Sequence, residues 1–190
     1  MDTREIETSL RGKLGSFIRY EGIFSSDKIP YFLTIGKPIM FIANTLTSKT
    51  DVSTVGHWVC FYISVYPKKY ILFFDSYGLS PHFYSKGFTR WLEHYSNFQV
   101  QEFGRQIQPD TSQKCGLYVV QCIHYISHFG LEKYKLFFQK NFSKNHLHRN
   151  DRLVTKYYFK HVLKKKNCSQ WKNRRGKHAI TYNDCLSSQR

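Results

Sequence analysis

Two strand-like runs joined by a short turn limit the possible fold more than any other feature of the sequence. The runs are HWVCFYISVY (57–66) and YILFFDS (70–76), and only Pro-Lys-Lys separates them. So short a connection predicts an antiparallel β-hairpin, in which the start of the first strand lies beside the end of the second. His57 opens the first run and Asp75 closes the second. The sequence therefore predicts an imidazole and a carboxylate at one edge of a sheet.

The remaining pattern predicts a single domain built from helices and strands. With 190 residues, of which 41% are hydrophobic, the chain can form an ordinary core. Periodicity places Phe88, Trp91, Leu92 and Tyr95 on one face of a helix. Besides the hairpin, we predict helices over 3–14, 84–97, 115–130 and 151–166, and strands over 38–45 and 98–103.

Composition disfavours membrane proteins and disulfide-stabilised secreted proteins. No apolar run approaches the roughly 20 residues that span a bilayer, and the polar start MDTREIETSLRGK does not resemble a signal peptide. The five cysteines are odd in number and contain no CxxC pair. They are predicted to be reduced thiols in an intracellular, reducing compartment, and we expect the protein to be a monomer without membrane contact.

Positive charge is concentrated in the last third of the chain. Residues 130–190 contain 16 Lys/Arg and 3 Asp/Glu, whereas residues 1–129 contain 13 and 10. This asymmetry indicates a polyanionic partner, and nucleic acid, bound through its phosphates and without sequence preference, is the first candidate. We therefore predict a domain, 1–165, and a basic, irregular tail, 166–190; a solvated tail without a partner remains the alternative. The predicted phosphate contacts, which could also form a nuclear localisation signal, are Lys164, Lys165, Lys166, Lys172, Arg174, Arg175 and Lys177.

A cysteine at the start of the predicted helix 115–130 supplies a third chemical group. Cys115 is followed by Gly116, and the dipole and free amides of a helix start stabilise a thiolate. The same amides can donate to an oxyanion on an attacked carbonyl, and Gln108, seven residues upstream, offers a side-chain amide for it. His57 could take the thiol proton and Asp75 could orient the imidazole, which makes a Cys-His-Asp triad.

Each of these residues also has a purely structural interpretation. A Cys before Gly is usually a small buried hydrophobe, and an Asp before Ser-Tyr-Gly usually forms an Asx turn. Their order, His…Asp…Gln…Cys-Gly, at suitable element boundaries is much less expected by chance. Cys60 and Cys122 are predicted to be core thiols. Cys168, His178 and Cys185 have irregular spacing and no evident fourth ligand, so no metal site is predicted.

With these residues in place, the sequence resembles a known protein family. The motifs GHW (56–58), FFDSYG (73–78) and Q-x6-CG (108–116) are similar to those of the adenovirus-type cysteine endopeptidases, the adenain family. That family belongs to the clan that also contains the SUMO- and ubiquitin-like-protein proteases. Segments 17–32, 41–58 and 115–126 resemble family segments as well, so the resemblance covers roughly residues 15–165.

The resemblance implies an α+β, papain-like architecture. A central helix bearing Cys115 would pack against a mostly antiparallel sheet bearing His57 and Asp75. It also implies acyl transfer to water, by thiolate attack, a thioester and hydrolysis. The oxyanion would be held by Gln108 and the backbone amide of Cys115.

The resemblance further implies a biological setting and two more site residues. Family members cleave viral precursor polypeptides at Gly-containing sites during maturation, so the virion and the host-cell nucleus are the expected locations. No cofactor would be required for the chemistry itself, and DNA would act as an activator. Trp58 would form a wall that shields the His–Asp pair from water, and Gly116 would lie on the oxyanion side.

Two departures from the family pattern leave alternatives open. The third triad position is commonly Glu in adenovirus enzymes, whereas Asp75 matches the SUMO-protease branch. The adenovirus enzyme binds an activating peptide through a disulfide, but the corresponding stretch 93–103 has no cysteine here, so a peptide cofactor would have to bind non-covalently. The alternative functions are a SUMO or ubiquitin-like-protein isopeptidase and a catalytically silent DNA-binding scaffold.

Overall fold

The fold is mixed α+β, with a single five-stranded sheet in the part of the chain that the structure describes. That structure is a computed structural model, which describes residues 1–33, 36–51, 54 and 56–163. The strands are β1 (Arg19–Ser25), β2 (Ile39–Asn44), β3 (Trp58–Ser64), β4 (Tyr70–Phe74) and β5 (Gln99–Phe103). The helices are α1 (Thr3–Leu10), α2 (Pro81–Tyr84), α3 (Lys86–Glu93), α4 (Cys115–Phe129), α5 (Leu131–Asn141) and α6 (Leu147–Tyr157), and a π-helical turn (Tyr158–Val162) follows α6.

The predicted hairpin forms the middle of the sheet. β3 pairs antiparallel with β4, and Cys60 lies opposite Phe74, so the start of β3 and the end of β4 share an edge. β2 pairs antiparallel with the other side of β3. Every residue of β3 is buried, because both faces of the sheet are covered. This double burial explains why the sequence of β3 is continuously apolar and does not alternate.

The outer strands correct the prediction of a mostly antiparallel sheet. β1 pairs parallel with β2, and β5 pairs parallel with β4, so the sheet is mixed. Parallel neighbours need a long crossover connection, and the chain between β4 and β5 supplies one that contains α2 and α3. β5 also presents mostly exposed or half-exposed residues, since it lies at the edge of the sheet.

Helices cover both faces of the sheet and give the fold three layers. One apolar cluster joins alternate residues of β2, β3 and β4 to α4, which α1, α5 and α6 surround. The other cluster joins the remaining strand residues to α3. The four aromatic and aliphatic residues predicted for one face of the helix at 84–97 are all buried there. α4 is apolar around most of its circumference, as expected for a helix enclosed by other elements.

Several element boundaries differ from those predicted. The helix predicted over 3–14 ends at Leu10, and Gly12 then adopts a φ of 66° that a right-handed helix cannot contain. The helix predicted over 84–97 is divided into α2 and α3 at Ser85, whose side chain caps α3 by accepting from the amide of Gly87. α6 begins at Leu147 rather than at 151. β1 and α5 were not predicted. The predicted tail, 166–190, lies outside the described residues.

Within the described residues, no helix combines the length and the apolar character that a membrane span requires.

Candidate active site

The hairpin brings His57 and Asp75 into direct contact, as the sequence predicts. His57 immediately precedes β3, and Asp75 immediately follows β4. The Nε2 atom of His57 lies 2.5 Å from Oδ1 of Asp75, and the exposed fractions of the two side chains are 11% and 1%. Because Nε2 is bonded to the carboxylate, Nδ1 is the ring nitrogen that remains for a third partner.

Four donors hold the carboxylate of Asp75 in place. Oδ1 also accepts from the amide of Tyr77 at 3.0 Å. Oδ2 accepts from the amide of Leu79 at 2.8 Å and from the hydroxyl of Tyr84 at 2.8 Å. A buried carboxylate that accepts from this many donors cannot rotate freely. It therefore fixes the orientation of the His57 ring.

Cys115 is the first residue of α4 and interacts with the same imidazole. Burial acts to raise the pKa of the Cys115 thiol, but the hydrogen-bonding interaction with His57 and the charge of the imidazolium outweigh it. The backbone amides of Trp58 and Gly116 contribute in the same direction, and the pKa is lowered overall. The thiol is half-buried, so a substrate carbonyl can reach it. The structure thus joins Cys115, His57 and Asp75, although they are far apart in the chain.

The imidazole of His57 favours the protonated state. Burial acts to lower its pKa, but the hydrogen bonds and charges of Asp75 and Cys115 raise the pKa to about 9. With the thiol pKa lowered at the same time, both shifts favour a thiolate beside an imidazolium over a neutral thiol beside a neutral imidazole. This is the protonation state in which the sulfur is a nucleophile and the ring can later act as an acid.

Two tyrosine rings lie against the imidazole. Tyr77 stacks on His57 with ring centroids 4.4 Å apart and planes 27° apart, and Tyr84 lies at 5.5 Å with the same tilt. Neither tyrosine was predicted as a site residue. The motif SYG after Asp75 was available as a signal for Tyr77, but Tyr84 depends on the course of the chain through α2. Together the rings limit the positions that the imidazole can adopt.

Gln108 lies close to this group but is fully buried. Its Nε2 atom donates to the carbonyl of Ser112 at 2.7 Å and to the hydroxyl of Tyr77 at 3.2 Å. Its Oε1 atom accepts from the hydroxyl of Ser76 at 2.7 Å. Both amide hydrogens therefore already have acceptors inside the protein. The oxyanion role predicted for this amide would require one of those bonds to be exchanged.

Trp58 and Gly116 both lie against the first residue of the chain. The indole Nε1 of Trp58 donates to the carbonyl oxygen of Met1 at 2.9 Å, and the indole is 7% exposed. A Cβ atom on Gly116 would lie 2.8 Å from Cβ of Met1, so only glycine permits this close approach. The contact with Met1 was not predicted, since nothing in the local sequence indicates it.

The start of α4 has no side-chain cap. Lys114 is the N-cap residue and makes no side-chain capping bond, while Oγ of Ser112 accepts from the Lys114 amide at 3.3 Å. The amides of Leu117 and Tyr118 donate to the carbonyl of Lys114, so the amides of Cys115 and Gly116 are the ones at the start of α4 that can serve anionic groups at the thiol.

The other predicted site features fall outside this cluster. All seven predicted phosphate-binding residues lie outside the described residues, as do Cys168, His178 and Cys185. Cys60 and Cys122 are buried free thiols, as predicted. The described residues contain no group of three or more His, Cys, Asp or Glu side chains suited to a metal ion.

No protein-family model matches the chain, and no curated protein matches it at a significant level. The arrangement of Cys115, His57 and Asp75 is therefore the main support for a proposed function.

Proposed function

We propose that the protein is a cysteine endopeptidase that hydrolyses peptide bonds, at Gly-containing sites, in viral structural precursor proteins during virion maturation. The observation that carries this proposal is an imidazole oriented by a buried carboxylate, with the Cys115 thiol close enough for the two groups to shift the pKa of one another. The central helix and the sheet would then have the papain-like arrangement that the sequence resemblance implies. The viral setting rests on that resemblance alone.

The proposed reaction uses the protonation states that the site favours. The Cys115 thiolate attacks the scissile carbonyl, the C–S bond forms, and the carbonyl π pair moves to oxygen. Amides at the start of α4 stabilise this oxyanion. The His57 imidazolium gives its proton to the leaving amine as the C–N bond breaks. Neutral His57 then takes a proton from water, which attacks the thioester and releases Cys115.

A substrate panel tests the proposal. The full chain would be incubated, with and without DNA, with fluorogenic peptides that contain Gly-X-Gly sites and with a SUMO fusion protein. We expect cleavage of the peptides and its loss after iodoacetamide treatment, because alkylation removes the nucleophile. No cleavage of either substrate class by protein with a titratable thiol at residue 115 would refute the proposal.

The same panel decides between the proposal and its main alternative. Asp75, in place of the Glu common in adenovirus enzymes, favours a protease that removes SUMO or ubiquitin-like modifiers. Cleavage of the fusion protein without cleavage of the peptides would establish that alternative. A silent DNA-binding scaffold is disfavoured, since such a protein needs neither a thiol with a lowered pKa nor an oriented imidazole.

We also propose that DNA stimulates the enzyme by binding the basic tail. Deleting residues 164–190 is expected to remove the DNA affinity and its salt dependence. If six or more Lys/Arg contact phosphates, affinity in the full chain should fall roughly 10³-fold or more between about 50 and 200 mM salt. Fluorescence anisotropy with a labelled duplex would measure both effects.

The folded domain supplies the comparison for this deletion. Arg149, Arg152 and Lys156 are exposed on one face of α6, and would be retained when the tail is removed. If the shortened chain kept the affinity and salt dependence of the full chain, the tail assignment would be wrong and this face of α6 would be the next candidate. Unchanged alkylation of Cys115 would establish that the shortened chain is intact.

A further inference from the structure

The hydroxyl group of Tyr77 lies at the junction between the imidazole and the buried amide of Gln108. The Tyr77 ring stacks on His57, and its backbone amide donates to Asp75. The Tyr77 hydroxyl accepts from Nε2 of Gln108 and donates to the carbonyl of Ser112, both at 3.2 Å. The side chain is therefore fixed by three parts of the site at once.

The amide of Gln108 is poorly placed to donate directly to a substrate oxygen. The side chain has no exposed surface, and its shorter bond, at 2.7 Å, goes to the carbonyl of Ser112. If the amide turned towards substrate, the hydroxyl of Ser76 would lose its acceptor, Oε1 of Gln108. Leaving a buried polar group unpaired costs about 1–3 kcal/mol.

The hydroxyl proton of Tyr77 is more available than either amide proton of Gln108. Its acceptor, the carbonyl of Ser112, already receives the 2.7 Å bond from Gln108, so the 3.2 Å bond from Tyr77 is the weaker of the two. Because Tyr77 also accepts from the Gln108 amide, its O–H bond is polarised and becomes a better donor. Rotation about the C–O bond would release this proton without moving the ring.

The side chain of Tyr77 also lies beside the imidazole that interacts with Cys115, since the ring centroids of Tyr77 and His57 are 4.4 Å apart. Burial raises the pKa of Tyr77, so the phenol stays protonated at neutral pH and can donate a hydrogen bond. The ring is half-exposed, in contrast to Gln108, so that its hydroxyl can approach a bound substrate.

We propose that the hydroxyl of Tyr77 is the side-chain donor to the oxyanion and that Gln108 acts through it as a positioning residue. The inference rests on the proposed peptidase function and deepens it. When the C–S bond forms and the carbonyl π pair moves to oxygen, the hydroxyl turns from Ser112 to that oxygen. The proton stays on Tyr77 throughout, so the step is a hydrogen bond and requires no further reactant.

Tyr77→Phe tests the proposal because it keeps the ring against His57 and removes only the hydroxyl. We expect kcat for a Gly-X-Gly peptide to fall on the order of 10²-fold, as for other single oxyanion donors, with KM nearly unchanged. Alkylation of Cys115 by iodoacetamide should keep its wild-type rate, since that displacement forms no oxyanion. A kcat equal to or above the wild-type value would overturn the proposal and make the released Gln108 amide the donor.

A peptide aldehyde separates failure of this inference from failure of the proposed function. The thiolate adds to the aldehyde, and the resulting hemithioacetal oxygen occupies the oxyanion position without any hydrolysis. Aldehyde affinity, measured as protection of Cys115 from iodoacetamide, should be on the order of 10²-fold weaker in Tyr77→Phe. Equal protection of both proteins would refute the Tyr77 assignment. If affinity differed while the wild-type chain cleaved no peptide, the donor would stand and the peptidase proposal would fail.

A double-mutant cycle tests whether Gln108 acts through Tyr77. In Gln108→Ala the hydroxyl remains but loses its orienting donor, so aldehyde affinity should fall. The double variant with Tyr77→Phe should be no weaker than Tyr77→Phe alone, since both changes disable one donor. If the losses of aldehyde affinity in the two single variants multiplied in the double variant, each side chain would contact the oxyanion independently. Thermal melts would establish that the compared variants are folded.

Tyr84→Phe is the matched control, because it removes the hydroxyl of the second ring beside His57. That hydroxyl donates to Asp75 and not to Gln108 or Ser112. Its loss should move the pH profile of Cys115 alkylation and leave the ratio of aldehyde affinity to alkylation rate unchanged. If Tyr77→Phe weakens aldehyde binding alone and Tyr84→Phe moves the alkylation profile alone, oxyanion binding is separated from support of the triad. The same pattern in both would contradict the proposal.

Discussion

Replacing Cys115 with Ala or Ser is expected to abolish peptide hydrolysis while the protein remains folded. Ala has no nucleophile, and the serine hydroxyl would not ionise beside His57 as the thiol does, since its pKa is far higher. We expect the rate to fall by at least about 10⁴-fold, the scale of effect when a covalent nucleophile is lost. The release of a fluorogenic peptide product measures the rate, and a thermal melt reports the fold.

The fold should tolerate this change for reasons visible at the start of α4. Cys115 is half-buried, and its side chain interacts with His57 and packs against the apolar cluster without being enclosed in it. Ala is also the best helix former, so the first turn is preserved. We expect the free energy of unfolding to change by less than about 1 kcal/mol.

Cys122→Ala is the matched control for the nucleophile assignment. Cys122 lies seven residues further along α4 and is 1% exposed in the apolar cluster beneath the sheet. Its replacement should lower the melting temperature, because it removes buried atoms, but hydrolysis should persist below that temperature. Cleavage by Cys115→Ala at a rate near that of Cys122→Ala would end the assignment of Cys115.

The proximity of His57 and Asp75 could be predicted from sequence because hairpin geometry is local. A short connection between two paired strands determines which strand ends meet, so the proximity of His57 and Asp75 followed from their positions alone. The approach of Cys115 to His57 depends on how α4 packs on β3, which the local sequence does not show. Its role was therefore predicted on a different basis, the electrostatics of a helix start. The described structure agrees with both inferences.

The features that were missed depend on the path of the chain between elements. Tyr84 reaches Asp75 only because the loop after β4 turns back through α2, and no periodicity encodes that course. β1 was missed because its residues are only partly buried and its pairing is irregular between Tyr20 and Ile23. For α5 a signal was present, since Leu131, Tyr134 and Phe138 are spaced for one helical face and are buried.

Replacing Asp75 with Asn is expected to slow hydrolysis by about 10²–10⁴-fold, because it removes the charge that supports the imidazolium. Burial alone lowers the pKa of His57, and the bond to Asp75 is the largest contribution that raises it to about 9. Without that contribution the proton returns to the thiol, so the pKa of Cys115 rises. Iodoacetamide alkylation near neutral pH should slow, and its pH profile should move to higher pH.

For the wild-type chain, the two pKa shifts determine how the rates of alkylation and hydrolysis should change with pH. Its thiol pKa is lowered, so alkylation should stay fast below the pH at which an ordinary cysteine loses its thiolate. Hydrolysis also needs the imidazolium as an acid, so its rate should fall as pH rises through about 9. In Asp75→Asn this alkaline limit should move to lower pH, opposite in direction to the alkylation profile.

The fold of Asp75→Asn requires a companion variant, since the buried carboxylate accepts four hydrogen bonds. An Asn amide at either oxygen position would face another donor, either the His57 and Tyr77 N–H groups or the Leu79 N–H and the Tyr84 hydroxyl. This conflict is expected to cost about 1–3 kcal/mol. His57→Ala keeps the carboxylate and three of its donors, and should remove the fast alkylation near neutral pH equally well.

A structural ion pair and a catalytic pair predict different outcomes for these variants. If His57 and Asp75 served only to join the ends of β3 and β4, both changes would lower the melting temperature and leave Cys115 alkylation as it is in the wild-type chain. If they form a triad with Cys115, alkylation changes even at temperatures where the variants are fully folded. An unchanged alkylation profile in folded His57→Ala would therefore show that the Cys115 thiol does not depend on His57, and a thiol mechanism would lose its basis.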